Sequence, residues 1–186
     1  MRLFDERIII DRNEIIKVSS SIRGLITLLN KIILWTILIA PWFTLFFVKK
    51  EYIKRFMPAA IFASFIMIIY NVVASNQKHW VINETFIPWL KPLFVSGVFG
   101  AFPVITFWVF YYTYGNFRKY LLTNIIIDFL FAVFPIHYMF QEVLGIYELV
   151  NITPWGRFVL FVFFSIVIYG YYKWQEDIIH SNPKGT

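Results

Sequence analysis

A chemical reading of this sequence turns on Asp128. It lies near the middle of Tyr120 to Gln141, YLLTNIIIDFLFAVFPIHYMFQ, with Asn124 one helical turn before it. The stretch is long enough to cross a bilayer. An acid at that depth costs about 2.5–3.5 kcal/mol on insertion scales, so it should face protein or water rather than lipid. Such a group can serve in two ways. As a neutral acid it is a hydrogen-bonding peg between helices; wetted and ionisable, it lines a path for protons or cations. No second acid or base lies at its depth to pass a proton along, which favours the peg.

Counting from the helix end, Asp128 sits about eight residues in, roughly 12 Å, a little short of the midplane. Ser64, Thr106 and Ser165 fall within about a turn of that level on other apolar blocks. The expected intramembrane cluster is therefore Asp128, Asn124, Ser64, Thr106 and Ser165, with each hydroxyl able to bond the carboxyl group. Such contacts average about 0.6 kcal/mol.

Other side chains with chemical potential gather toward the opposite end of the same blocks: His79, Glu84, His137, Glu142 and Glu148. Histidine with carboxylate can hold a divalent metal or titrate near neutral pH. Here the spacing argues against it, because there is no HExxH and no histidine pair at i, i+4. His79 beside Trp80 and His137 near a helix end read as interfacial anchors. No G-x-S-x-G elbow places a serine nucleophile, and no glycine-rich loop cradles phosphate. Asn83-Glu84-Thr85 and Asn151-Ile152-Thr153 match the glycosylation pattern, the second weakened by Pro154. The chain has no cysteine, which removes disulfides, thiolate metal sites and a cysteine nucleophile. No catalytic residue, metal or cofactor is expected.

The elements that must position these groups follow from composition. Of the 186 residues 59% are hydrophobic and only 15% charged, too few to cover a water-exposed globule. The apolar residues come in long blocks, Ile32–Val48, Phe56–Ser75, Pro92–Tyr114, Tyr120–Gln141 and Arg157–Tyr172, with Trp and Tyr at their ends as interfacial belts require. The fold class is all-α: a polytopic transmembrane helical bundle of about five spans with an N-terminal amphipathic interfacial helix. Residues 1–30 form that helix, 31–176 the bundle and 177–186 a short flexible tail. Pro135 and Pro103 should kink the fourth and third spans. Ser96-x-x-x-Gly100 and Gly97-x-x-x-Ala101 offer small faces for close packing. The connection Asn76–Lys91 should hold an interfacial turn of helix. A signal peptide is not expected, since the first long apolar run begins after about thirty residues without a cleavage pattern.

In the first thirty residues Ile8, Ile15, Ile22 and Leu29 recur every seven positions, with Phe4, Val18 and Leu25 beside them. Arg7, Arg12, Lys17 and Arg23 lie mostly off this stripe. Such a helix suits the membrane interface, its cations near anionic headgroups; a soluble helix docked on the protein's own loops is the alternative. Gly24 offers a joint before the chain turns into the membrane. Topology carries a conflict. Five full spans divide the basic residues almost evenly between the two sides, whereas a first block that dips in and returns near Pro41 puts most on one side, as the charge rule prefers. Backbone chemistry opposes the dip, because a broken backbone in lipid lacks partners, and a true first span is favoured. The net charge of +6 follows from loop topology and not from nucleic-acid binding, for which no recognition motif is present.

Three stretches, IKRFMPAAIFASF at 53–65, FWVFYYTYGNFRKYLLTNIIIDFLFA at 107–132 and YGYYKWQE at 169–176, resemble an uncharacterised family of small multi-pass integral membrane proteins from spore-forming Gram-positive bacteria. The resemblance covers most of residues 30–176. It implies a bacterial cytoplasmic membrane and says nothing about sites. The functional expectation is a non-enzymatic integral membrane protein whose partners are the lipid bilayer, anionic headgroups and either a membrane protein or a second copy of itself. A small transporter or channel subunit using Asp128 is the alternative, and an enzyme acting on lipid ranks third.

Overall fold

The computed structural model describes residues 2–91 and 93–181, with side chains from 14 to 91 and from 93 to 178. The chain is an all-α bundle, with helices α1 Arg2–Phe43, α2 Lys50–Asn76, α3 Phe102–Thr113, α4 Phe117–Ala132, α5 Ile136–Tyr138 and α6 Pro154–Ser181. Among the described residues four helical stretches are long and apolar enough to cross a membrane: Glu14–Phe47, Lys50–Asn76, Phe117–Val143 and Pro154–Ile178. A shorter apolar stretch, Gly97–Thr113, runs beside them and completes the five expected blocks.

Prolines decide where these helices bend, stop or meet, because each withholds the N–H that a carbonyl four residues back would accept. In α1, Pro41 frees the Ile37 carbonyl, which sits against Gly100 of a neighbouring π-helical turn, Gly97–Ala101. Pro103 opens α3 and offers nothing to the Phe99 carbonyl, which accepts the Trp42 indole N–H at 2.9 Å. At the expected kink of the third span the chain runs as this π-turn continued by α3. Pro135 does more than kink the fourth span. The chain leaves the helix after Ala132, passes a cis Phe134–Pro135 bond and resumes as α5 and a second π-turn, Met139–Val143.

One expectation is corrected. Helix α1 runs unbroken through Gly24, which is therefore no joint, and at 1.5 Å per residue its 42 residues span about 63 Å. It continues from the N-terminal stretch directly along the bundle, so the chain does not return at Pro41; it reverses only after the short 3-10 turn Thr44–Phe47. The connection Asn76–Lys91 holds a strand as well as the 3-10 turn Pro88–Leu90. Strand β1 (Trp80–Ile82) pairs antiparallel with β2 (Tyr147–Leu149), Val81 opposite Glu148, and this ribbon ties the two loops at one end of the bundle together. Of the tail expected at 177–186, residues 177–181 continue α6 and the rest lie outside the described residues. The side chains of Phe4, Arg7, Ile8 and Arg12 also lie outside them.

Packing follows side-chain size. Helix α2 presents Ala59, Ala60, Ala63 and Ala74, all fully buried, so that its neighbours approach closely. Toward the end opposite the ribbon, Phe56, Phe107, Phe110, Tyr120 and Tyr172 fill the core, with Phe110 and Tyr120 stacked at 4.7 Å. Tyr120 is one of the largest fully buried side chains, and its hydroxyl donates to the Ser165 carbonyl at 2.9 Å. That bond pins α4 to α6 one turn below Asn124 and sets the rotation of α4 that turns Asp128 inward.

Candidate functional site

Asn124 and Asp128, one turn apart on α4, both face the bundle interior and are nearly fully buried. Ser165 of α6 donates its hydroxyl to Asp128 Oδ2 at 3.3 Å. Asn124 does not reach the carboxyl group: its amide donates back to the Tyr120 carbonyl at 2.9 Å. Thr106 of α3 lines, with Asn124, Asp128 and Ser165, a cavity of about 50 Å³ walled by Phe131, Phe161 and other apolar side chains. Ser64 is elsewhere. It donates to the Val98 carbonyl at 2.8 Å, satisfying the π-turn instead of the carboxyl group. Of the five residues read from the sequence, the fold thus brings Asp128, Asn124, Thr106 and Ser165 to one cavity and leaves Ser64 outside it. The cavity holds a few waters at most, and no second titrating side chain lines it. Chemically, the arrangement is a hydrogen-bonded peg between α4 and α6.

A second polar centre, which the sequence did not announce, lies where α4 breaks. Helix ends leave carbonyls unsatisfied, and Pro135 leaves one more at Phe131, inside the apolar part of the bundle. Arg157, from the first turns of α6, meets this need. It is 3% exposed, and its Nη2 donates to the Ala132 carbonyl at 2.9 Å and the Phe131 carbonyl at 3.3 Å. Its Nη1 donates to the Tyr147 hydroxyl at 2.9 Å. Tyr147 in turn lies 3.0 Å from His137 Nδ1, so α4, α5, β2 and α6 are joined through one guanidinium. Burial pushes the Tyr147 hydroxyl's pKa up, while Arg157 pulls against this, and the phenol stays neutral. Nearby, Asn71 of α2 donates to the Met67 carbonyl at 2.7 Å and accepts the Phe94 N–H at 3.0 Å, capping the start of the third span.

The remaining candidates stay apart. His79 faces the Tyr70 hydroxyl at 3.4 Å, Glu84 accepts from Thr27 at 3.3 Å, and Glu142 accepts from Gln141 at 3.0 Å. Glu148 sits on β2 with its side chain exposed. Among the described residues no group of three or more His, Asp or Glu is assembled that could hold a metal. At the opposite end Glu176 accepts from Arg55, from Tyr114 at 3.1 Å, from Tyr172 at 2.9 Å and from Lys173 at 2.9 Å. Arg55 also lies over the Tyr114 ring, 4.0 Å from its centroid. This clasp ties α2, the turn after α3 and α6 together.

With four helices able to cross a membrane and polar groups spent on joining them, fold and site define a helical membrane bundle. No protein-family model, curated protein or solved structure matches the chain.

Proposed function

We propose that this chain is a non-enzymatic integral membrane protein that acts by association, with a second copy of itself as the first partner. The observation that carries the reading is α1 beyond the bundle. Asn30 donates to the Leu144 carbonyl at 2.9 Å and so marks the level of the end loops. From Glu14 to Leu29 every residue is exposed except half-buried Thr27. Ile15, Val18, Ile22, Leu25 and Leu29 are 48–67% exposed. These five stand at alternating three- and four-residue steps, the seam spacing of a coiled coil, and Ile15 and Ile22 at the first position with Leu25 at the second follow the preference of a pair of parallel helices. We place the seam past the end loops, in the N-terminal half of the stretch Glu14–Phe47, and an exposed apolar stripe of this length there calls for protein. A helix unbroken at Gly24 supports this reading, since it carries the stripe on from the bundle in one piece. The bacterial cytoplasmic membrane as its location rests on the resemblance of three stretches of sequence.

The test is the oligomeric state in gentle detergent. The full chain should run as a dimer or higher multimer, and Ile22→Glu with Leu25→Glu should convert it to monomer without lowering its helix content. A monomeric parent chain would refute the proposal. The cavity at Asp128 favours a second reading, a small transporter or channel subunit, whose test is the Asp128→Asn variant described below.

A further inference from the structure

The cavity at Asp128 is walled by four helices, with Ala63 and Met67 from α2, Thr106 from α3, Asn124 and Asp128 from α4 and Ser165 from α6. Its polar side chains offer it oxygens. Asp128 spends one carboxyl oxygen, Oδ2, on Ser165, and Asn124 turns its amide nitrogen to the Tyr120 carbonyl. Among the described residues Asp128 Oδ1, Asn124 Oδ1 and the Thr106 hydroxyl have no hydrogen-bond partner. A hydroxyl on a helix commonly bonds the carbonyl four residues back, as Thr113 does to Val109 at 2.6 Å, and Thr106 does not. None of these three oxygens is sealed off without a partner as Asn30 Oδ1 and Ser96 Oγ are, so the space of the cavity reaches them.

The Ser165 contact points the same way. At 3.3 Å it is long for a hydroxyl donating to a carboxyl group, where about 2.5–3.0 Å is usual. Two oxygens that share a hard cation at about 2.4 Å, at right angles, lie about 3.4 Å apart, which this pair matches. A buried carboxylate left alone is costly. One monovalent cation cancels its charge, whereas a divalent ion would leave a net charge among apolar walls. Neutral oxygens can replace the rest of such an ion's hydration shell, so no cluster of acids is needed. The volume of about 50 Å³ takes a bare ion with a water or two and excludes organic cations. The ion takes the place of the carboxyl proton, one positive charge leaving as another arrives, so the peg and the loaded site are two states of one group.

We propose that this cavity is a binding site for one monovalent cation of sodium's size, held by Asp128 with Asn124, Thr106 and Ser165 as neutral oxygen ligands. The site is independent of the association surface on α1 and requires no passage of the ion across the membrane. Thermal unfolding of the purified full chain in detergent tests it, with sodium chloride replaced stepwise by N-methylglucamine chloride at constant ionic strength. Sodium should raise the midpoint saturably, by roughly 3–6 °C at ten times the dissociation constant. Asp128→Asn should abolish that rise and, without sodium, unfold close to the parent chain. Thr106→Val, which keeps the shape of the side chain, should weaken the apparent affinity by about threefold or more. Equal midpoints in the two salts, or a rise that persists in Asp128→Asn, would overturn the proposal. Binding of radioactive sodium to the parent chain gives a second readout that needs no variant: saturable binding of one ion per chain supports the site, and its absence refutes it.

Discussion

Gly100 provides the sharpest test of how the first span is seated. A Cβ built on Gly100 would lie 2.6 Å from Leu38 Cα and 2.9 Å from the Leu38 carbonyl oxygen, and closer still to the Ile37 carbonyl. Ordinary carbon contacts begin at about 3.5–4.0 Å, and the atoms met here are backbone, which cannot rotate away. Gly100→Ala must therefore push α1 off the π-turn by about 1 Å. The Trp42 bond to the Phe99 carbonyl lies at the same contact and would stretch with it. Overpacking of this kind costs about 1–3 kcal/mol, and a neutral hydrogen bond adds about 1 kcal/mol. Gly170 on α6 is the matched control, since a Cβ there meets nothing within 4 Å and alanine is the better helix former. Unfolding in mixed micelles of rising dodecyl sulfate content should separate the two variants by about 2–4 kcal/mol, Gly100→Ala being the weaker. Equal stability of Gly100→Ala and the parent would refute the close seating of α1 against the third span.

The peg reading of Asp128 predicts that Asp128→Asn folds and accumulates normally, since the amide oxygen can still accept from Ser165, and that stability changes by only about 0.6 kcal/mol. Loss of an ion-dependent phenotype at normal protein levels would instead establish the transport reading. Tyr147→Phe leaves Arg157 Nη1 and His137 without their shared partner, so micellar unfolding should show a loss of about 1–3 kcal/mol; a neutral outcome would show that this link does not hold the broken fourth span. Glu176→Gln weakens a clasp that is only partly buried, and its cost of about 1 kcal/mol should shrink at high salt in the same assay.

The spans were legible because apolar runs of this length have few other uses, and the level of Asp128 could be counted from a helix end. Depth, however, gives no rotation. Ser64 lies near the right level, but its hydroxyl is turned toward Val98, whereas the buried Tyr120 anchor fixes Ser165 against Asp128. Arg157 read as a boundary charge because it begins an apolar run. Its role depends on Pro135, whose effect the sequence does signal: a carbonyl left bare inside a membrane needs a donor. Nothing in the sequence names which donor answers. Gly24 misled because a glycine inside a long helix costs about 1 kcal/mol and no break is required. The ribbon escaped notice because three-residue strands are too short to show alternation.

Association through α1 is the central claim, and the absence of native cysteines makes its most direct test simple. Single cysteines at Ile22, on the seam, and at Ser20, on the opposite face, are introduced into the full chain and oxidised in native membranes. The account predicts that Ile22→Cys forms a disulfide-linked dimer while Ser20→Cys stays monomeric. Equal cross-linking at both positions, or none at Ile22, would contradict it.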